Sequence, residues 1–335
     1  MTKTNQQLSS NQVAEIILAE PRGFCAGVNR AIEIVDLALE RYGAPLYVRH
    51  EIVHNHHVVN DFKSRGVIFV ERLEEVPDGA LVIFSAHGTS PAIIQSASSR
   101  GLKFIDAVCP LVTKVHLEIA RAIKDGKKVI YIGHRGHQEV LGAMGYASAN
   151  LDQGNKNHQV QALKPGQDIY LVESIEDVEK LSSILTSENL VVATQTTLSL
   201  DDTSAIIEKL RSTFTSIEFP KSDDICYATQ NRQDAVKELA KYADYILIIG
   251  SENSSNTLRL LELAGKLGKP AELVPDPEKF SPKPEFYSKV IGISSGASAP
   301  EFLVKTLVNK LKGSNTTITN LKYKEENIEF PLPKF

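Results

Sequence analysis

Tryptophan is absent from these 335 residues, and 10 Tyr with 12 Phe leave little aromatic surface on which to stack bases. Charge of one sign is missing as well. A net charge of −4 and a pI near 6.2 do not supply the basic face of a general nucleic-acid binder, although they are compatible with a local basic pocket. No run of about 18 apolar residues occurs, and the opening MTKTNQQLSSNQ lacks the apolar core of a signal peptide. The expectation is a cytosolic protein with neither nucleic acid nor membrane as its partner. Cysteine is scarce: there are three, an odd number that excludes a disulfide framework in a reducing compartment. None forms a CxxC pair, so ordinary zinc-ribbon and ferredoxin spacings are missing. The ATP loop GxxxxGKS/T and the dinucleotide fingerprint GxGxxG are missing too. Gly292-Ile293-Ser294-Ser295-Gly296 does fit the GxSxG nucleophile elbow. The last histidine is His158, however, so the order Ser, Asp, His has no third member.

What is present looks like an ordinary globular chain, with 42% hydrophobic and 23% charged residues and length for two or three domains. Short β-branched runs alternate with helix-period stretches from start to finish, which reads as α/β. Strand candidates are Glu15–Ala19, Leu46–Val48, Val67–Val70, Ala80–Phe84, Phe104–Val108, Lys128–Ile132, Ile169–Val172, Leu190–Ala193, Tyr245–Ile249 and Val290–Ile293. The main helix candidates are 26–42, 111–125, 201–213, 229–242, 256–267 and 300–312.

Cys25, Cys109 and Cys226 each fall where a strand or turn meets a predicted helix start, and Pro110 sits at a favoured first helical position. Their spacing predicts three modules, 14–108, 109–222 and 223–312, related by a pseudo-threefold that brings the helix starts together. The Asn-, Gln- and Gly-rich stretch 147–168 reads as a solvated insertion loop in the second module. Residues 1–13 and 313–335 read as tails, with the final ENIEFPLPKF docking as an extended strand.

A thiolate at a helix N-terminus is favoured by the dipole, and thiolate is the form that binds metal. Zinc with three Cys and one His fits this pattern. A 4Fe-4S cluster on three thiolates explains more, because it leaves one iron free to act as a Lewis acid. Histidines cluster on loops after strands: His54, His87, His134 and His137. Small hydroxyl residues do the same at Thr196 and Thr197, at Ser254, Ser255 and Asn256, and at Ser298. Each such loop taken alone is explained by helix capping; several together, with histidines, suit a polyanion.

The segments GFCAGVNRAI, EIVHN, SAHG, CPLVTKVH, GHRGHQEV, TQTTLS, SSNT and SGASAP together resemble the 4-hydroxy-3-methylbut-2-enyl diphosphate reductase family over about residues 14–330. The resemblance implies a trefoil-like α/β fold around a 4Fe-4S cluster and reductive dehydration of an allylic diphosphate, the last step of the non-mevalonate isoprenoid pathway. It implies ferredoxin or flavodoxin as electron donor. It makes Cys25, Cys109 and Cys226 the cluster ligands and sets His54, His87, His137, Ser254, Ser255, Asn256 and Ser298 around the diphosphate. Glu139 and Thr196 fall near the substrate hydroxyl. One departure stands inside this pattern, Gln138 where the family has Pro, and the loss of a fixed φ is expected to loosen that loop. Two other classes share the three-thiolate reading: an iron-sulfur hydro-lyase, which needs no electron donor, and a non-catalytic cluster or zinc sensor, which needs a basic surface or a partner domain.

Overall fold

The structure is a computed structural model in which residues 12–147, 166–186, 188–220 and 224–334 are described. Most of the polar N-terminal tail and of the expected insertion loop 147–168 lies outside the described residues. The first elements are β1 (Glu15–Glu20), α1 (Ala26–Tyr42), β2 (Leu46–Arg49), α2 (His56–Ser64), β3 (Val67–Val70), β4 (Leu81–Phe84), α3 (Pro91–Ser99) and β5 (Lys103–Asp106). There follow α4 (Pro110–Lys124), β6 (Lys128–Ile132), α5 (Gln138–Met144), β7 (Ile169–Val172), α6 (Ile175–Ser182), β8 (Leu190–Thr194), α7 (Leu200–Thr213) and β9 (Ile217–Glu218). The last are α8 (Tyr227–Leu239), β10 (Tyr245–Ile249), α9 (Ser255–Lys266), β11 (Ala271–Val274), β12 (Val290–Ser295), α10 (Glu301–Leu311) and β13 (Thr317–Lys322). No helix among the described residues is long and apolar enough to cross a membrane.

The chain divides into two compact units. One is made of residues up to Cys25 with Ala228–Asn327, the other of Ala26–Tyr227 with the last residues from Ile328. In the first unit five parallel strands lie in the order β11-β10-β12-β1-β13. Successive strand side chains point to opposite faces, so an unbroken apolar run such as Ile16, Ile17, Leu18, Ala19 needs cover on both sides. Ile16 and Leu18 pack with Ile291, Ile293 and the α10 residues Leu303, Val304 and Leu307. Ile17 and Ala19 pack with Val236 and Leu239 of α8 and Leu260 of α9.

The second unit holds two four-stranded parallel sheets, β3-β2-β4-β5 and β7-β6-β8-β9. In the latter, Ile130 and Ile132 face α6 and α7, while Val129 and Tyr131 face α4 through Val115 and Ile119. All three sheets are parallel, and the α/β class read from the sequence is the one observed.

Two differences from the sequence reading concern strand partners. β1 leaves the expected segment 14–108 and pairs with β12 and β13, contributed by the far end of the chain. Nothing local to EIILAE specifies those partners. In the tail, the strand forms at Thr317–Lys322, whereas residues 326–334 of ENIEFPLPKF are not a strand. Pro331 and Pro333 have no N–H to give to a ladder.

Arg232 on α8 is wholly buried, and its guanidinium donates to the carbonyls of Ala228 (3.0 Å) and Gly23 (2.7 Å). Glu326 supplies the counter-charge, accepting at 3.1 and 3.2 Å. Breaking such a pair strands a charge inside the protein. Glu326→Ala is expected to cost about 3 kcal/mol in denaturant unfolding; a loss below ~1 kcal/mol would show that the pair is not what holds the Gly23 turn.

Candidate active site

Each cysteine directly precedes a helix, α1, α4 or α8, and none is in a disulfide. Each is fixed in the same way. The Cys25 amide donates to Ala297 O (3.2 Å), the Cys109 amide to Ala86 O (3.0 Å) and the Cys226 amide to Thr196 O (3.0 Å). Ala297, Ala86 and Thr196 lie on loops leaving β12, β4 and β8, and the first two immediately precede Ser298 and His87. A main-chain bond thus links every cysteine to a loop that the sequence reading singled out for substrate.

In the second unit three imidazoles converge from separate loops. His54 leaves β2, His87 leaves β4 and His137 leaves β6, so both sheets contribute. His54 and His87 stack with centroids 4.0 Å apart, and His137 stands edge-on at 5.6 and 6.1 Å from them. The residues between them arrange this. Asn55 accepts from the amides of His57 and Val58 and starts α2 directly after His54. Burial and the neighbouring rings hold His87 well below the usual imidazole range and His137 down at about 3. Neutral imidazole donates from one nitrogen and accepts with the other. Nδ1 of His137 accepts from the Glu139 amide at 3.2 Å and caps α5, which leaves its Nε2 as the donor. Gln138 is the first residue of α5, directly after the capping His137.

Glu139 is a buried acid of this unit, 2% exposed. Thr196 grips it twice, through its amide to Oε1 (2.7 Å) and its hydroxyl to Oε2 (3.0 Å), and Tyr131 Oη donates at 3.5 Å. Burial lifts the carboxyl to about 7, more than these three hydrogen bonds lower it. A carboxyl with that value is half protonated near neutrality, the condition for a proton donor. Thr197 accepts from Gln195 Nε2 (2.8 Å) and stands in the support of the loop.

In the first unit Ser254, Ser255, Asn256 and Ser298 are buried at the loops leaving β10 and β12, with Ser254 and Ser298 hydroxyls 3.5 Å apart. Ser254 also caps α9. Asn256 also braces this loop: its Oδ1 accepts from Ala297 N (2.8 Å) and its Nδ2 donates to Thr229 Oγ1 (3.2 Å). Ser294, the serine of the elbow-like motif, lies inside β12 with no exposure.

Sequence reasoning passed over four supporting residues. Gln195, fully buried, accepts from the His134 amide at 3.0 Å and so fixes the His-rich loop. Arg30 on α1 donates to the carbonyl of Val108, the residue before Cys109, at 2.8 Å. Lys114 on α4 reaches Asp224 at 3.2 Å, which joins the helix after Cys109 to the segment before Cys226. Burial raises Asp224 to about 6, against the pull of Lys114. A polar residue inside a motif was the only available signal, and it does not reveal a partner a hundred residues away.

The profile of the LytB protein family matches residues 16–312. A protein of Actinobacillus pleuropneumoniae serotype 5b named 4-hydroxy-3-methylbut-2-enyl diphosphate reductase is 53% identical over 320 residues, 95% of this chain and 97% of its own length. The chain belongs to the LytB family. A like-named protein of Haemophilus influenzae strain PittEE is also 53% identical to this LytB chain, over 322 residues covering 96% of it and 97% of the relative. Among solved structures, the E-1-hydroxy-2-methyl-but-2-enyl-4-diphosphate reductase from Plasmodium falciparum has a TM-score of 0.86 at 36% identity, covering 96% of both chains. A second, (E)-4-hydroxy-3-methyl-but-2-enyl diphosphate reductase, described as the terminal enzyme of the non-mevalonate pathway, gives 0.61 at 30% identity over 89% of this LytB chain and 98% of its own.

Proposed function

We propose that this LytB chain acts in the cytosol on 4-hydroxy-3-methylbut-2-enyl diphosphate, adding two electrons and two protons and releasing water with isopentenyl or dimethylallyl diphosphate. Ferredoxin or flavodoxin is the proposed electron donor. The observation that carries the reading is the buried Glu139 carboxyl, lifted to about 7 and aimed by Thr196, one residue past Gln138 from a cradle of three imidazoles.

Three thiols placed at helix starts and absent from any disulfide would suit a 4Fe-4S cluster that leaves one iron open. Held by Cys25, Cys109 and Cys226, that group would supply electrons and a Lewis acid. The protein's own residues supply the rest. His54, His87 and His137 donate hydrogen bonds to the diphosphate oxygens, assisted by the Ser254, Ser255 and Ser298 hydroxyls and steadied by Asn256. Glu139 holds the proton that converts the departing hydroxyl into water, with the Thr196 hydroxyl able to accept and donate in relay. Burial of Glu139 keeps bulk water from competing for that proton.

Anaerobically purified protein is expected to contain iron and acid-labile sulfide in place of zinc. It should consume the allylic diphosphate with a reduced dye and fail to do so without reductant. Zinc in place of iron, or water loss without reductant, would reject the reading. Pyrophosphate should compete with substrate, and His54→Ala should weaken both about 10- to 100-fold, the scale of one or two hydrogen bonds to a charged group. Equal affinities in competition assays would place the anion elsewhere.

A further inference from the structure

His116 on α4 is a large polar side chain that the chemistry above leaves without a task. It is 5% exposed, and no hydrogen-bond partner reaches its Nε2 among the described residues. Burial lowers its titration to about 4, so the ring is neutral across the working range. What the ring touches is backbone. A Cβ placed on Gly88 would stand 2.5 Å from His116 Cε1, and one placed on Gly142 would stand 3.2 Å from the same atom and 3.3 Å from Nε2. Gly88 follows His87 directly; Gly142 lies on α5, the short helix that His137 caps and that carries Glu139. The Gly142 position also lies 3.4 Å from the Gly88 carbonyl carbon, so the two backbones meet at this ring. One turn on, a Cβ at Gly145 would overlap Ser90, the residue before α3. Tyr146 covers the imidazole from outside, centroids 5.2 Å apart.

We infer that His116 is a positioning residue, a wedge seated between the glycines of the His87 loop and of α5 that sets the spacing of His87 and His137 for the diphosphate. The inference rests on the reading of the three imidazoles as an anion cradle. His87 belongs to one sheet and His137 to the other, and no hydrogen bond between them is needed if both backbones close on one rigid ring. A Cβ on Gly88 would overlap the ring, and one on Gly142 would press on it at 3.2 to 3.3 Å, so the ring would have to give by a few tenths of an ångström. Glu139 shares α5 with Gly142, but its carboxyl is gripped by Thr196 from β8's loop, so the effect of disturbing the wedge is expected mainly on binding, and KM against kcat reads the two apart.

The test measures the affinity of holoenzyme for inorganic pyrophosphate in four variants, with iron content and melting temperature recorded for each. His87→Ala reports on the cradle itself. His116→Ala removes the wedge, and Gly142→Ala forces the gap open from the other side while adding helix propensity, which guards against mere unfolding. His116→Gln, with a similar reach, is the conservative rescue. All of the first three are expected to weaken pyrophosphate at least tenfold with iron retained. His116→Gln should stay within threefold of the parent. In His116→Ala, KM for the allylic diphosphate should rise with the pyrophosphate dissociation constant while kcat stays within threefold. Parental affinity in His116→Ala or in Gly142→Ala, with His87→Ala weakened, overturns the wedge and leaves the cradle standing. Parental affinity in His87→Ala overturns both.

Discussion

Cys25→Ser, Cys109→Ser and Cys226→Ser are each expected to strip most of the iron and labile sulfide and to reduce turnover by more than about a hundredfold. The scale follows from metal sites in general, where removing even an outer partner of a ligand costs about 10- to 100-fold. A serine hydroxyl is not ionised near neutrality, so the substitution deletes a negative ligand while barely changing shape. The fold has little reason to fail. The three thiols are half-buried, and the amide bonds to Ala297, Ala86 and Thr196 are main-chain and survive the change. Circular dichroism and the denaturation midpoint should therefore match the parent once cluster is removed from both. Full iron content with normal turnover in all three variants would end the ligand assignment; loss in two and retention in one would point to two thiolates and a different third donor.

Glu139→Gln should keep iron content and pyrophosphate affinity and lose about 10² to 10⁴ in single-turnover rate, the usual worth of a positioned general acid. The geometry favours a clean substitution. The Gln carbonyl can accept from the Thr196 amide as Oε1 does at 2.7 Å, and its NH₂ can donate to Thr196 Oγ1 in place of the bond now accepted at 3.0 Å. A second readout comes from stability. A carboxyl raised to about 7 in the fold binds its proton more tightly than in the unfolded chain. Its contribution is fully present below the unfolded value near 4.5 and is lost as pH rises through about 7. At ~1.4 kcal/mol per pH unit the loss comes to about 3 kcal/mol. The depressed imidazoles act in the opposite sense, their contribution being lost as pH falls below 6.5. Subtracting the Gln variant's curve from the parent's isolates Glu139. A variant that turns over normally under single-turnover reduction, or whose curve tracks the parent's between pH 4.5 and 7, would remove the carboxyl from its role.

Much of this site is visible in the sequence because its chemistry is local. A strand, a Pro-Arg-Gly turn, a cysteine and a helix can be read from twenty residues, and all three cysteines are found at helix starts. Histidines on loops after strands are equally plain. Their convergence is not, since the stack of His54 on His87 depends on β2 lying beside β4, and His137 comes from another sheet. Asn256 illustrates a different obstacle. Its residue type suits an anion contact and a main-chain brace equally, and the brace to Ala297 and Thr229 becomes visible only once the distant partners are in place. Short elements also escaped: α5 spans seven residues and β11 four, too few for a hydrophobic period to stand out. β13, TITNLK, is mostly exposed on both faces and carries almost no burial pattern.

The place of β1 between β12 and β13 has a consequence during synthesis. Residues 26–227, almost the whole of the second unit, leave the ribosome as an unbroken stretch and can acquire their two sheets early. Glu15–Glu20, made before any of them, must wait for 290–295 and 317–322 before either of its edges is paired. For that interval a buried-type strand, Ile16 to Ala19, is exposed on a nascent chain, the condition in which chaperones engage and aggregation begins. Ribosome-stalled chains ending near residue 250 should accordingly protect β6 and β8 from proteolysis while leaving β1 open to it, and release past Lys322 should close it.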